Sequence, residues 1–111
     1  MKKIILLKQN EKRALKVLKE ELCKRFKIID FRIFGSRARG DNTPESDIDV
    51  MIEIGESNSQ IESKIDDIVF EINLKYDTFF SLVIFSEKEI VEGPLSESPL
   101  FKIIQKEGVT V

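Results

Sequence analysis

Residues 47 to 54, DIDVMIEI, alternate strictly between two sets of side chains. Successive side chains of a β-strand point to opposite faces of a sheet, so the pattern predicts a strand with one fully apolar face. The other face carries Asp47, Asp49, Met51 and Glu53. Because an apolar sheet face must be covered, the rest of the chain has to supply neighbouring strands and a layer of helices.

Two further stretches have the composition of strands. Residues 28 to 34, IIDFRIF, and residues 79 to 85, FFSLVIF, are rich in β-branched and aromatic side chains, which favour a pleated sheet. The first stretch ends at Gly35, and residues 35 to 46 form a polar segment without apolar periodicity. We predict a loop there, with a helical turn after Ser36.

Helical patterns precede, separate and follow these strands. Apolar residues recur at steps of three and four, and capping or breaking residues mark the ends. The predicted helices are residues 10 to 26 with Asn10 as the N-cap, residues 59 to 76 with a capping box from Ser59 to Glu62, residues 86 to 93 with a capping box from Ser86 to Glu89, and residues 99 to 107 opened by Pro99. This order predicts a single α+β domain over residues 1 to 111, with a small mixed sheet and helices packed on it.

The residue types that are missing exclude several kinds of active site. The chain has no histidine, which excludes a Ser-His-Asp hydrolase and a histidine general base. Cys23 is the only cysteine, so neither an internal disulfide nor a Cys/His zinc site can form. If the chain is an enzyme, carboxylates, metal ions and basic groups must therefore do the chemistry. No apolar run approaches the roughly 20 residues of a membrane span, and we expect a cytoplasmic protein with no membrane partner.

Charge is divided unevenly along the chain. Residues 1 to 40 hold 13 Lys and Arg against 4 Asp and Glu, and residues 41 to 111 hold 5 against 16. A basic first half can attract phosphates, RNA or an acidic partner, although lysines on the solvated face of a helix explain the same excess. Direct nucleic-acid binding is not expected, because no aromatic stacking platform accompanies the lysines.

The acidic pair at the start of the second strand has the spacing of a metal site. Residues i and i+2 of a strand project from one face with Cα atoms roughly 6.5 Å apart, so the carboxylates of Asp47 and Asp49 can converge. Mg²⁺ usually takes one or two carboxylates from a protein and completes its shell with water and substrate phosphates. The pair is therefore a candidate half-site for Mg²⁺, completed by a nucleoside triphosphate.

A phosphate-binding turn is predicted at the end of the preceding strand. Gly35 allows a sharp turn and a close approach of phosphate to the backbone. If a helical turn begins at Ser36, its free N–H groups and the hydroxyl can bind an anion. Arg37 and Arg39 are then placed to neutralise the phosphate tail or a pyrophosphate leaving group. The turn and the acidic pair thus form two halves of one predicted nucleotide site.

The stretch GSRARGDNTPESDIDV, residues 35 to 50, resembles the signature of the DNA polymerase beta-type nucleotidyltransferase superfamily, and in particular of its minimal nucleotidyltransferase (MNT) members. The resemblance extends over the order of helices and strands and to the ending SPLFKIIQKEGVTV. It implies a nucleotidyltransferase fold and Mg²⁺-dependent transfer of a nucleoside monophosphate, AMP from ATP in the first instance. Asp47 and Asp49 would be the catalytic metal ligands, and Gly35 and Ser36 would hold phosphate.

The same resemblance implies a protein partner. Many small members of this kind are antitoxins paired with a HEPN-family toxin, often an RNase, and some of them silence the toxin by adenylylating a tyrosine. The nucleotide base, the acceptor and the oligomeric state stay open at this point, a homo-oligomer being one of the arrangements considered.

One position departs from the family pattern. The family usually supplies a third carboxylate from the strand FFSLVIF, where this chain has Ser81. Asp77 and Glu71 lie before that strand, but neither matches the pattern. We therefore predict that nucleotide and one Mg²⁺ bind, and that transfer is slow or requires a group from a partner. The alternative is an antitoxin that keeps the fold and neutralises its toxin by occlusion.

Overall fold

The computed structural model describes residues 7–41, 43, 46–93 and 97–111. Its elements follow the predicted order, with one short strand added at the end. They are α1 Gln9–Arg25, β1 Ile28–Phe34, α2 Ser36–Arg39, β2 Ile48–Ile54, α3 Ser59–Tyr76, β3 Phe80–Ser86, α4 Glu87–Glu92, α5 Pro99–Glu107 and β4 Val109–Thr110. Within the described ranges, no helix combines the length and the apolar character that crossing a membrane requires.

The four strands form one mixed sheet in the order β3-β2-β1-β4. Strand β1 is antiparallel to both β2 and β4, whereas β2 and β3 are parallel and are joined through α3. This arrangement confirms the predicted α+β fold with a small mixed sheet. Strand β4 was not predicted, because two residues are too few to show an alternating pattern.

The predicted apolar face of β2 faces the main core. Ile48, Val50, Ile52 and Ile54 are all buried there, as the strict alternation required. Helices α1 and α3 cover this face and contact each other. They contribute these buried side chains: Ala14, Leu15, Leu18, Leu22, Ile65, Ile68, Val69 and Ile72.

A second, smaller apolar cluster lies on the opposite face of the sheet. Phe34, Met51 and Phe85 pack there against Ile104 of α5. Phe101 extends the cluster by meeting Phe85 edge to face, with ring centroids 5.7 Å apart and planes at 81°. Met51 was predicted to share a polar face with the aspartates, but it is fully buried, because α5 covers this part of the face. Helix α5 is thereby fixed on the face that carries Asp49.

The start of α1 differs from the prediction. Lys8 rather than Asn10 is the N-cap, because the Glu11 carboxylate accepts a hydrogen bond of 2.8 Å from the Lys8 N–H. The Asn10 side chain instead donates to the carbonyl oxygens of Tyr76 (2.8 Å) and Asp77 (3.1 Å) at the end of α3. Asn10 thus joins the two helices that cover the main core.

The two predicted capping boxes have different outcomes. Helix α3 is capped by Asn58, whose side chain accepts from the Ile61 N–H at 2.9 Å, so the predicted box beginning at Ser59 was wrong by one residue. The box at Ser86 and Glu89 is confirmed, since each side chain bonds to the backbone N–H of the other residue. Asparagine caps as well as serine does, which explains the shift in α3.

Candidate functional site

The end of β1 and the start of β2 lie side by side. In the antiparallel register Phe34 is opposite Asp49, so the Gly35-Ser36 turn that follows β1 directly adjoins the acidic pair. The turn enters α2, where the Arg39 N–H donates to the Gly35 carbonyl at 3.0 Å. Asp47 directly precedes β2. Residues 35 and 49 are therefore neighbours in space, as the predicted site required.

Gly35 has a backbone conformation and surroundings that only glycine tolerates. Its φ of +75° and ψ of −152° lie in a region that L side chains avoid. A Cβ at this position would overlap Oδ2 of Asp49 and would lie 3.3 Å from Cγ of Asp49. The carboxylate of one half of the site thus rests against the backbone of the other half.

The acidic pair is electrostatically strained. Asp47 is exposed and Asp49 is half-buried. Burial, and then the charge of Asp47, raise the pKa of Asp49, while the charge of Arg39 acts in the opposite direction. A bound divalent cation would neutralise these like charges, so the arrangement suits the predicted Mg²⁺ half-site.

Ser81 occupies the position where the family resemblance predicts a third carboxylate. It pairs with Asp49 in the parallel register of β2 and β3, and it is exposed. Glu71 lines a groove with Arg25 and Phe26, on the α1 and α3 side of the sheet. Over residues 7–41, 43, 46–93 and 97–111, no three His, Cys, Asp or Glu side chains are grouped as metal ligands. Asp47 and Asp49 therefore fit Mg²⁺ only if water and phosphate complete its shell.

Arg37 does not lie in the predicted phosphate cradle. It is 4% exposed, and its terminal nitrogens donate to both carboxylate oxygens of Glu11 at 3.0 and 2.9 Å. One of these nitrogens also donates to the Ser46 carbonyl at 2.8 Å. This corrects its predicted role, because the donors that would face phosphate are engaged in a buried ion pair. Arg37 instead ties α2 and the end of the loop to α1.

Arg39 is the arginine whose charge acts on the acidic pair. Its side chain is half exposed, and its Nε contacts Asp41 Oδ2 at 3.1 Å. Its charge acts on the pKa of Asp49. Arg37 and Arg39 look alike in the sequence, but the backbone of the short α2 turns one inward and leaves the other at the site.

Glu107, the last residue of α5, was not among the predicted site residues. Its Oε1 accepts from the Gly35 N–H at 3.3 Å and from the Arg39 guanidinium at 3.2 Å. The two partners lie 72 and 68 residues earlier in the chain, so no local pattern links them. Its one sequence signal is its place just before Gly108 at a helix end. Glutamates are common at such positions, so this signal does not indicate a site.

The strain at Asp49 leads to a prediction about stability. Because the pKa of Asp49 is raised in the folded state, the ionised form costs folding free energy, and this cost is absent at pH values below the ordinary pKa of 3.8. At neutral pH, Asp49→Asn should therefore raise the free energy of unfolding measured by urea denaturation, by less than about 1 kcal/mol because water screens a half-exposed group. Asp66→Asn on the exposed side of α3 is the control. A less stable Asp49→Asn protein would contradict the prediction.

The amino-acid sequence of this chain is similar to those of known proteins. The family model described as "Nucleotidyltransferase domain" matches residues 15 to 107. Two similar proteins of Methanocaldococcus jannaschii are named "Putative protein adenylyltransferase" MJ1379 and MJ0141. The first is 40% identical over 52% of this chain and 54% of its own length. The second is 36% identical over 78% of this chain and 83% of its own length. The chain thus spans about half of one relative and most of the other.

Solved structures show the same fold. A "putative nucleotidyltransferase from Sulfolobus solfataricus" superposes with a TM-score of 0.53 at 22% identity, over 88% of this chain and 76% of its own. A "putative minimal nucleotidyltransferase" superposes with a TM-score of 0.58 at 20% identity, over 90% of both chains. At these identities the likeness concerns the arrangement of the backbone alone.

Proposed function

The chain belongs to the nucleotidyltransferase domain family, and on this premise we propose that it transfers AMP from ATP to a protein partner in a Mg²⁺-dependent reaction. The observation that carries the proposal is the contact between the Gly35 backbone and the Asp49 carboxylate. This contact supports the proposal because the turn predicted to bind phosphate and a residue predicted to bind the metal are neighbours in space. Two relatives named as adenylyltransferases support adenine as the base and protein as the acceptor.

The proposed reaction uses the acidic pair, the turn and one arginine. Asp47 and Asp49 would hold Mg²⁺, which when bound neutralises phosphate charge and activates the attacking oxygen. The Gly35 N–H, the Ser36 hydroxyl and Arg39 would bind the triphosphate. A hydroxyl of the partner loses its proton to solvent water as its oxygen attacks the α-phosphorus in line, and the bond from that phosphorus to the bridging oxygen of the β-phosphate breaks. Pyrophosphate leaves, with its charge stabilised by Arg39.

Ser81 bears on the speed of transfer. A neutral hydroxyl beside Asp49 cannot supply the negative charge of a third carboxylate, so the acceptor hydroxyl is activated less strongly. We propose that transfer by this chain is slow or is completed by a group from the partner. A HEPN-type toxin is the partner proposed, with this chain as its antitoxin.

Coexpression with the proposed partner tests the reaction. We expect the partner to gain the mass of one adenylyl group, and we expect Asp47→Ala and Asp49→Ala to remove at least about 99% of this labelling, because each deletes a metal ligand. Asp66→Ala on the exposed side of α3 removes the same charge away from the site and is the control. Labelling that survives both site substitutions would refute the proposed reaction.

The register of Ser81 beside Asp49 also favours a second candidate, an antitoxin that acts by occluding its toxin. The Ser81→Asp variant separates the two. If the chain is an enzyme short of one carboxylate, this variant should label the partner at least about tenfold faster, whereas Ser63→Asp on α3 should not. A partner that stays unmodified, yet is inhibited equally by the wild type and by Asp49→Ala, would establish occlusion.

A further inference from the structure

A carboxylate of the chain itself occupies donors that the proposed function assigns to phosphate. Oε1 of Glu107 accepts from the Gly35 N–H and from the Arg39 guanidinium at the same time. The Glu107 side chain is 18% exposed. Gly35 also meets the Asp49 carboxylate. The glycine is therefore a neighbour both of a predicted metal ligand and of an internal anion.

The position of Glu107 is set by the fold on both sides of it. Before it, Ile104 and Phe101 of α5 pack into the cluster formed by Phe34, Met51 and Phe85. After it, Val109 pairs with Ile33 of β1. A residue between a packed helix and a paired strand has little freedom to leave its place by backbone movement, so the side chain alone has to move if the donors are to be released.

We propose that Glu107 competes with the triphosphate of the nucleotide for the Gly35 N–H and Arg39, and thereby sets the affinity of the site. This inference rests on the proposed function and adds a residue that controls nucleotide affinity. Carboxylates and phosphates seek the same charge-assisted hydrogen bonds, and two anions cannot share these donors without repulsion. Nucleotide binding then requires rotation of the Glu107 side chain away from the turn.

Glutamine at position 107 tests the competition, because it keeps the size and the acceptor oxygen but removes the charge. We expect Glu107→Gln to bind both Mg²⁺-ATP and Mg²⁺-tripolyphosphate about three to five times more tightly than the wild type does, as measured by calorimetry. The expected gain is small because the ion pair that is lost is partly exposed and therefore weak. Glu97→Gln, which loses an exposed pair with Lys102, changes the net charge equally near the other end of α5. This control should bind both probes like the wild type.

The possible outcomes separate the inference from the proposed function. Unchanged or weaker binding by Glu107→Gln, with normal binding by the wild type, would overturn the competition and leave the proposed function standing. Failure of both proteins to bind either probe would overturn the proposed function and the competition with it. Binding that tightens for both probes in Glu107→Gln, and not in Glu97→Gln, supports the competition.

A second measurement uses the wild-type chain and needs no substitution. Titration of Mg²⁺-tripolyphosphate should shift the backbone amide resonance of Gly35 and the side-chain resonances of Glu107 over the same concentration range. The two groups should respond together because the ligand displaces the Glu107 carboxylate from the Gly35 N–H. A shift at Gly35 with no change at the Glu107 side chain would overturn the inference.

Discussion

Replacement of Arg37 by methionine should lower the free energy of unfolding by about 3 to 5 kcal/mol, because it leaves the Glu11 carboxylate buried without its partner. Both side chains of this pair are nearly inaccessible, at 3% and 7%. The pair is bidentate, and Arg37 also holds the Ser46 carbonyl. Urea denaturation measures the loss, and a fall in the midpoint at an unchanged slope would assign it to stability.

Two further variants define the cause of this loss. Glu11→Gln retains an acceptor for the Lys8 N–H and removes the charge, so the double variant with Arg37→Met should be clearly more stable than the sum of the single losses predicts. Arg25→Met removes an arginine from an exposed pair with Glu21 and should cost less than about 0.5 kcal/mol. An Arg37→Met protein as stable as Arg25→Met would show that the buried pair contributes nothing.

The Gly35→Ala variant should lose nucleotide binding and also about 1 to 3 kcal/mol of stability from backbone strain alone. The added Cβ meets Oδ2 of Asp49, so either the carboxylate or the turn has to move. Movement of either would separate the proposed phosphate-binding turn from Asp49, the proposed metal ligand. Calorimetric titration with Mg²⁺-ATP and urea denaturation measure the two losses on the same protein.

Gly40→Ala is a matched control for this prediction. Gly40 also has a positive φ, +84°, but a Cβ there would meet nothing within 4 Å. It should therefore lose only about 1 kcal/mol, the cost of the left-handed backbone, and should keep nucleotide binding. Asp49→Ala added to Gly35→Ala should recover part of the stability and none of the binding. Equal stability losses at the two glycines would rule out the overlap with Asp49.

Local patterns predicted the elements that depend on local physics. The alternation over residues 47 to 54 identified the buried face of β2 correctly, since the period of a strand is a property of its own backbone. The same alternation placed Met51 among polar residues, although it is buried. That error arose because α5, 45 or more residues later, covers part of the second face. Burial on a second face depends on a partner element that no pattern in the strand reveals.

For the candidate site too, the sequence predicted some features and left others undecided. The types and spacing of Gly35, Asp47 and Asp49 predicted a strand end beside an acidic strand start, and the antiparallel register brings these two ends together. The register of β3 likewise places Ser81 beside Asp49. The roles of the two arginines could not be separated from the sequence, because both follow the same turn and differ only in which one faces α1.

By itself, the sequence determined the strands, the helices, the polar turn and the acidic pair, because backbone periodicity and residue chemistry act over a few neighbouring positions. Tertiary structure alone decided that Arg37 pairs with Glu11 across 26 residues and that Glu107 reaches Gly35 across 72. Charged side chains satisfy their hydrogen bonds with whatever the fold brings near. The same arginine or glutamate can therefore bind substrate, stabilise the core or block a site, and only its neighbours in space decide which.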